Sequence, residues 1–483
     1  SWGVSAASNY RKRYRYSGSF LFSYQDSKTG DKGLPDFTEQ ESFKIQWSHR
    51  QDPKANPYSS LAASVNFATS SYERNNLNSM YNPQTLTQST RTSSVSWSTN
   101  FSSIGLSLSA TTNLAQNMRD STIQMTLPDL NISLSRFYPF KRKHAVGKER
   151  WYEKILMSYT GQLSNSISTK EDRLLHANLF KDWKNAFQHT IPVQANFTVF
   201  NYINVTPSFN FTDRMYSKKV LRGWDNVKQK EVVTDTTYGF HNVYNWSMSV
   251  GASTKLYGFW TPNRKLFGDR IQAIRHVITP QISFSYSPNF GARRYGYYDS
   301  YQYTDASGNV KLVEYSPYQD ELYSVPGKYK TEMISWDVSN NIEMKVRSDK
   351  DSTGFRKISI IDELGASMSY NAAADYHRWS DLSMRLRLKW WKNYTFSMNA
   401  QFATYAYELD ANGKPYVGNH TEWGYGRLPR FQGMSQNFSF TLNPEKLKKW
   451  FGHKEDKEDD QTDDDGDSPD TDGDSPGGPG APG

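Results

Sequence analysis

The sequence predicts an all-β fold, a large antiparallel transmembrane β-barrel, and three observations carry that prediction. Apolar and polar residues alternate with period two along most of the chain. The polar partners are mainly Ser, Thr, Asn and Gln, and no run of 18 or more apolar residues occurs anywhere. Alternation of this kind marks a strand whose two faces meet different surroundings. A sandwich would need apolar residues on the second face to build its core, and that face is polar here. A barrel in lipid produces the observed split, with an apolar outer band, aromatic girdles and a polar lumen. The absent apolar run excludes a transmembrane helix and says nothing against strands that cross.

Composition agrees. Of 483 residues, 36% are hydrophobic and 15% aromatic, with 32 Tyr, 26 Phe and 14 Trp. An ordinary soluble domain draws close to half its residues from apolar types. Disordered chains are poor in aromatics, so this chain folds. With no Cys, there is no disulfide framework, no Cys-ligated zinc or iron-sulfur cluster and no Cys nucleophile. The opening at Ser1, without an initiator Met or a signal segment, is expected of a piece whose export signal is removed or lies outside it. Net charge is +8, but residues 454–483 hold twelve acids against two Lys, leaving +18 on residues 1–453. A body this basic attracts nucleic acid or anionic lipid head groups, and composition alone does not choose between them.

Taken in order, the first element is 17–25, where Gly18, Phe20, Phe22 and Tyr24 share one face and Ser17, Ser19, Ser23 and Gln25 the other. In 94–101, Val95, Trp97 and Phe101 oppose Ser94, Ser96, Ser98 and Asn100; in 106–114, Leu106, Leu108, Ala110 and Leu114 oppose Ser107, Ser109, Thr111 and Asn113. The alternation slips across Pro128 and Asp129, which predicts a bulge or kink. Residues 193–199 and 205–212 alternate on either side of Asn201 and predict one tight hairpin. Further strands are expected at 244–254, 278–286, 336–346, 364–370, Leu382–Trp390, 394–402 and 434–442. That makes about eighteen segments filling residues 1–443, many near the ~9–11 residues a tilted strand needs to cross a bilayer. Long polar connections are expected at 26–40, 70–90, 141–150, 214–236, 293–332 and 410–430. Residues 444–483 read as an acidic linker or loop rich in Pro and Gly, expected to be disordered. Their Asp463 to Asp474 run lacks the spacing of a calcium loop.

Tyr14, Tyr16, Tyr257, Trp260, Trp390, Trp391 and Tyr394 stand near segment ends, where interface girdles place Tyr and Trp. Arg385, Arg387 and Lys389 alternate with Leu386, Leu388 and Trp390, and would set three cations in the lumen. There they meet lipid phosphate on a substrate path, or pair with carboxylates of neighbouring strands. Lys141, Arg142 and Lys143 meet anionic head groups or form a solvated loop. The nine His residues show no metal-ligand spacing, and no GxSxG or phosphate-cradling loop occurs. No catalytic residue, metal site or cofactor is therefore expected, although a Ser and His pair assembled across strands would leave no local signature.

Three stretches go beyond pattern: residues 11–18 (RKRYRYSG), 127–140 (LPDLNISLSRFYPF) and 274–286 (IRHVITPQISFSY). They resemble the lipopolysaccharide-assembly outer-membrane protein family, LptD, in its Bacteroidota form. The resemblance runs over most of residues 1–443 and is most specific from Arg275 and His276 to Tyr286. It implies part of a barrel of about 26 strands in the outer membrane of a Gram-negative bacterium. It also implies non-catalytic insertion of lipopolysaccharide into the outer leaflet through a polar lumen and a lateral gate between first and last strands. The partners implied are lipopolysaccharide, a plug lipoprotein of the LptE type, periplasmic β-jellyroll bridge proteins and outer-membrane lipids, with no nucleic acid. The jellyroll domain of that family is not in this sequence. A general outer-membrane channel or a TonB-dependent nutrient receptor would show the same alternation, and a surface adhesin built as soluble β-structure is a third reading.

Overall fold

The computed structural model describes residues 2–69, 71–72, 90–144, 146–263, 265, 268, 270–305, 307–348, 354–390 and 394–440. Trp391, most of the expected 70–90 connection, the last residues of the 434–442 segment and the whole of 444–483 lie outside the described residues.

Along the chain run β1 (Trp2–Lys12), β2 (Tyr16–Thr29), β3 (Thr38–Gln51), β4 (Ser59–Ala68), β5 (Thr90–Phe101), β6 (Leu106–Asn117), β7 (Thr122–Phe137) and β8 (Ile155–Lys170). There follow β9 (Lys184–Ala195), β10 (Phe197–Val199), β11 (Ile203–Asp225), β12 (Lys230–Ser253), β13 (Leu256–Trp260), β14 (Ile271–Ser287), β15 (Asp299–Thr304) and β16 (Val310–Tyr315). The last are β17 (Thr331–Arg347), β18 (Phe355–Asn371), β19 (Leu382–Trp390), β20 (Tyr394–Ala403), β21 (Tyr405–Leu409), β22 (Pro415–Thr421) and β23 (Arg430–Phe440). Nineteen of these make one antiparallel sheet, and β15–β16 and β21–β22 make two separate hairpins. The class expected from the alternation is the one found: this is the sheet of a large antiparallel transmembrane β-barrel.

Each strand of the sheet pairs with the next in sequence. Short β10 and β13 continue β9 and β12 in register along β11 and β14. The break between β12 and β13 falls opposite Pro280, which has no N–H to give to a ladder. β1 and β23 are the two edges, with no ladder between them among the described residues. The hairpin expected around Asn201 is present: Val199 pairs with Ile203, and Phe200 and Asn201 both take positive φ, 53° and 66°. The expected slip in β7 is present too, as a register shift between Thr126 and Asp129.

Register carries the alternation from strand to strand. On one face, Ser60, Ser98, Ser109, Asn131, Gln162, Gln188 and Arg214 stand opposite one another in sequence across β4 to β11. On the other face, the neighbouring row reads Leu61, Trp97, Ala110, Leu130, Leu163, Phe187 and Met215. From β14 to β20 the polar row is Gln281, Asp337, Ser367, Ser383 and Gln401; the apolar one is Pro280, Val338, Ala366, Met384 and Ala400. Since side chains alternate faces strictly, a one-residue slip would exchange the two.

Away from the long-connection rim, where Trp379 packs on Trp336 and Tyr370, the apolar face lies open among the described residues. Phe209, Met248, Val250, Ile282, Phe284, Val338, Met384 and Met434 are all exposed. A continuous apolar surface of this extent is untenable in water and is what a bilayer requires.

One expected connection is a correction. Residues 214–236 are not a loop: β11 and β12 run through them, 23 and 24 residues long, and turn only at 226–229. The polar residues Lys218, Lys219, Arg222 and Thr234 to Thr237 on both faces hid the strands from a periodicity test. A strand beyond the bilayer has water on both sides and no reason to alternate.

Connections differ by end. At one end lie the turns 13–15, 102–105 and 200–202; at the other lie 171–183, 288–330, 372–381 and 404–429. The expected 141–150 connection is at the short-turn end. There Glu153, 2% exposed, accepts from Arg142 Nε at 2.6 Å and from the Arg150 backbone N–H at 2.7 Å. These two donors, the guanidinium first, hold its carboxyl at about 2. Lys141 pairs with Glu149 at 3.5 Å, so two of the three cations at 141–143 are paired with neighbours in their own loop.

Candidate functional site

The polar face is the candidate site. Its hydroxyls bond across strands: Ser19 and Ser48 Oγ lie 2.8 Å apart, Ser60 and Ser98 2.8 Å, Ser208 and Ser249 2.6 Å. A cavity of about 720 Å³ opens on this face, walled by Gln281 and Ser283 of β14, Ser335 and Asp337 of β17, Ser367 and Ser369 of β18, Ser383 of β19 and Gln401 of β20. Hydroxyls and amides so placed offer donors and acceptors without fixed charge.

Beside it stand Arg385, Arg387 and Lys389, all on the polar face of β19 as the alternation predicts. Each is paired with a carboxylate. Arg385 reaches Asp337 at 2.8 Å and Glu363 at 3.2 Å. Arg387 reaches Asp362 and, at 3.2 Å, Glu363; Lys389 reaches Asp362 at 3.2 Å. The pairs are partly exposed, so their net stabilisation is small.

A bulge makes this arrangement. Between Asn340↔Leu364 and Ile342↔Ile361, two residues of β18 oppose one of β17. Asp362 and Glu363 are consecutive, yet both meet cations of the same β19 face. Asn341 Nδ2 donates to the carbonyl oxygens of Ile361 and Asp362, at 3.4 and 2.9 Å, and satisfies the acceptors the bulge frees. Gly365 completes the site, because a Cβ there would lie 2.8 Å from the Arg385 guanidinium. Sequence reasoning found the cations and offered pairing with carboxylates of neighbouring strands, which is what the structure shows; it did not place those carboxylates, since a bulge breaks period two where Asp362 and Glu363 occur. The adjacent acidic pair, opposite three alternating cations, was the available signal.

The second feature of the polar face is the segment 288–330. It folds back over β8, β9, β11 and β12, and its side chains form the main hydrophobic cluster with theirs. Phe290, Tyr297 and Tyr318 pack on Ala186, Tyr216 and Val243. Tyr216 is fully buried, stacks on Tyr318 at 5.3 Å and donates to the Tyr323 carbonyl at 3.0 Å. Tyr323 donates to the Gln162 carbonyl at 2.8 Å, and the Tyr244 backbone N–H donates to the Tyr297 hydroxyl at 2.9 Å. Beyond them, the β15–β16 hairpin rests on the β11–β12 extension: Tyr303 stacks on Trp224 at 4.5 Å and Tyr301 donates to Glu231 at 2.8 Å. Burial pushes the hydroxyls of Tyr297 and Tyr323 up to about 12, so both stay neutral donors and acceptors. The reading of 293–332 as a plain polar connection missed this, although Tyr295, Tyr297, Tyr298, Tyr301 and Tyr303 within nine residues were the visible signal.

Glu321 is half-buried in that segment, and its Oε2 has no hydrogen-bond partner among the described residues. Desolvation raises its carboxyl above the ordinary 4.5, with Lys218 and Lys184 opposing. A carboxyl raised in the seated segment favours seating at low pH and weakens it as pH rises through the raised value. Amide protection factors within 289–330 are therefore expected to increase as pH falls from neutral towards the ordinary carboxyl range, and Glu321→Gln is expected to remove that dependence. Protection that falls on acidification contradicts it.

The aromatics expected at interfaces gather at one end. Tyr14 lies in the 13–15 turn and Tyr16 begins β2, and Tyr257 and Trp260 lie on β13; all four are exposed. Trp390 ends β19. Tyr257 pairs with Val277, whose partner is Asn341, so it shares the polar face; Trp260 pairs with Ile274 on the other. The aromatics of the opposite rim, Tyr370, Trp379 and Trp423, lay outside the expectation.

A family model described as LptD protein matches residues 1–405. No curated protein matches the chain. Among solved structures, the chain is similar to a double mutant of the Serratia marcescens hemophore receptor HasR in complex with its hemophore HasA and heme. That likeness has 7% identity over 90% of this chain and 75% of the other, with a TM-score of 0.21. It is also similar to the ferric-catecholate import receptor Fiu from E. coli K12, at 10% identity over 91% of this chain and 81% of the other, with a TM-score of 0.20.

Proposed function

The chain belongs to the LptD protein family, which serves lipopolysaccharide transport at the outer membrane of Gram-negative bacteria, and from that premise we propose that it inserts lipopolysaccharide into the outer leaflet without catalysis. The polar face is the lumen wall in this reading. The phosphorylated glycan travels along its hydroxyls and amides, past Arg385, Arg387 and Lys389, while the acyl chains leave sideways through a gate between the edge strands.

One observation carries the reading: the hydrogen-bonding rows run unbroken from β4 to β11 and from β14 to β20, and the only charges in them are Arg214 and Asp337. A sugar chain needs many weak, exchangeable partners to move, rather than one deep site. Paired cations suit the same task, because each guanidinium can trade a carboxylate for a phosphate without being left bare. The partners in this reading are an LptE-type plug lipoprotein and periplasmic β-jellyroll bridge proteins.

Depleting the protein in its own cells tests the function. Newly made lipopolysaccharide is expected to stop reaching an enzyme that modifies only the outer leaflet, and to accumulate inside. Unchanged arrival, with loss of small-nutrient uptake instead, supports a channel or receptor.

A further inference from the structure

At the long-connection end, on the apolar side of the sheet, a cavity of about 550 Å³ lies between the 372–381 connection and the β21–β22 hairpin. Its position follows from register: Phe284, Ile334, Tyr370 and Trp379 stand opposite one another in turn, so the row of the apolar face ends in the cavity wall. The cavity therefore opens at the rim, where the membrane's apolar zone gives way to head groups. It is separate from the polar path and from the cavity beside Asp337.

Its walls join aromatic faces to unspent polar groups. Trp379, Tyr405 and Tyr425 supply the first; Asp375, Asn419 and His420 supply the second. The frame is fixed by contacts that leave those groups available. The Tyr405 hydroxyl, on a residue only 6% exposed, accepts from the Trp379 backbone N–H at 2.8 Å. The His377 ring packs against Tyr405 at 4.6 Å, with Nε2 2.8 Å from the Gly418 carbonyl. Asn419 spends its Oδ1 on the His377 backbone N–H at 3.1 Å, and its Nδ2 has no partner among the described residues. His420 spends Nδ1 on Glu408 at 2.5 Å, which leaves Nε2. Asp375 is exposed, and its carboxylate has no partner among the described residues.

We propose that this rim cavity binds a saccharide. A sugar ring presents an apolar C–H face and an edge of neighbouring hydroxyls, each both donor and acceptor. Flat aromatic side chains meet the first; an acceptor at Asp375, a donor at Asn419 and a ring nitrogen at His420 meet the second. The size is that of a small-ligand site. Charge disfavours the main rival, a phosphate: Asp375 stands in the wall and Glu408 on His420 beside it, and the one cation in the wall, Arg378, turns its Nε to the Ala374 carbonyl at 2.8 Å and Nη1 to the Tyr370 hydroxyl at 3.4 Å. The sugar comes either free from the medium or as the head of a glycolipid in the adjoining leaflet. The inference goes beyond the transport reading and stands without it.

The test is saturation-transfer NMR on the full chain in phosphatidylcholine nanodiscs. The probes are lipid-free oligosaccharide released from lipopolysaccharide by mild acid and, in a second arm, the intact lipopolysaccharide built into the disc. Transfer to sugar-ring protons is expected, weakened about tenfold by Asp375→Ala, the loss expected for one hydrogen bond to a charged group. Tyr425→Ala is expected to weaken it similarly, and both variants keep the wild-type heat-modifiable gel shift. Comparable binding in the two arms supports a soluble source, and at least tenfold tighter binding of the intact lipid supports a membrane source. No transfer in either arm, or transfer unchanged in both variants, overturns the proposal. Failure of the transport reading would register instead on the polar face, at Arg387.

Discussion

Replacing residues 289–330 with a short Gly-Ser turn is expected to raise single-channel conductance several-fold in planar bilayers and to make cells sensitive to large antibiotics. The segment lies on the polar face of four neighbouring strands, held by the Phe290, Tyr297 and Tyr318 cluster and by the hydrogen bonds of Tyr216, Tyr244 and Tyr323. Inside a barrel, material on that face occupies the lumen. Its removal should spare the wall, because β14 and β17 pair along their own lengths from Ile271↔Val346 to Ser287↔Thr331. A weaker form of the same experiment is Tyr216→Ala. Deleting a fully buried aromatic side chain costs about 3–5 kcal/mol, and here the loss falls on the seating of the segment. Protease sites in 289–330 should then open while the heat-modifiable gel shift survives. Conductance equal to wild type after the deletion would mean that the segment closes nothing.

Val250→Arg is expected to destabilise the folded protein by about 2–4 kcal/mol in a lipid-vesicle folding titration, the cost of a cation on the lipid face near the bilayer middle. Val250 is 45% exposed and lies on the apolar face of β12, between Trp246 towards one rim and, beyond the break, Trp260 towards the other. Ser247→Arg, three residues away on the opposite face and paired with Asn210, should cost less than about 1 kcal/mol, since its guanidinium would stay in water. Equal costs at the two positions would contradict the assignment of faces.

Much of this architecture is legible in the sequence because both of its determinants are local. Period two names the strand and its faces together, so Leu382–Trp390 is delimited to the residue and the hairpin at Asn201 is found from its flanks. The legibility ends where the environment stops being two-sided. In the 214–236 stretch both faces meet water, so the strands continue while the pattern vanishes. At Asp362 and Glu363 a bulge inserts one residue, and the carboxylates that answer Arg385, Arg387 and Lys389 fall out of the alternating frame. The 288–330 segment is hidden for a third reason. Its tyrosines are buried against strands far earlier in the chain, Tyr297 on Tyr244 and Tyr323 on Gln162 among them, and no local rule tells a tyrosine that faces lipid from one that folds inward. The rim cavity shares this difficulty, since Asp375, Tyr405 and His420 come from two connections and meet only through the fold.

The central claim is that lipopolysaccharide passes along the polar face. In-cell photo-crosslinking tests it most directly, with the reactive residue at position 387 and, as control, at 386. The two adjoin on β19 and point to opposite faces, with register partners Glu363 and Leu364. An energy-dependent lipopolysaccharide adduct at 387 and none at 386 is the expected result. No adduct at 387 in a barrel shown to be folded and inserted would contradict the account, and would take from Arg385, Arg387 and Lys389 the role given to them here.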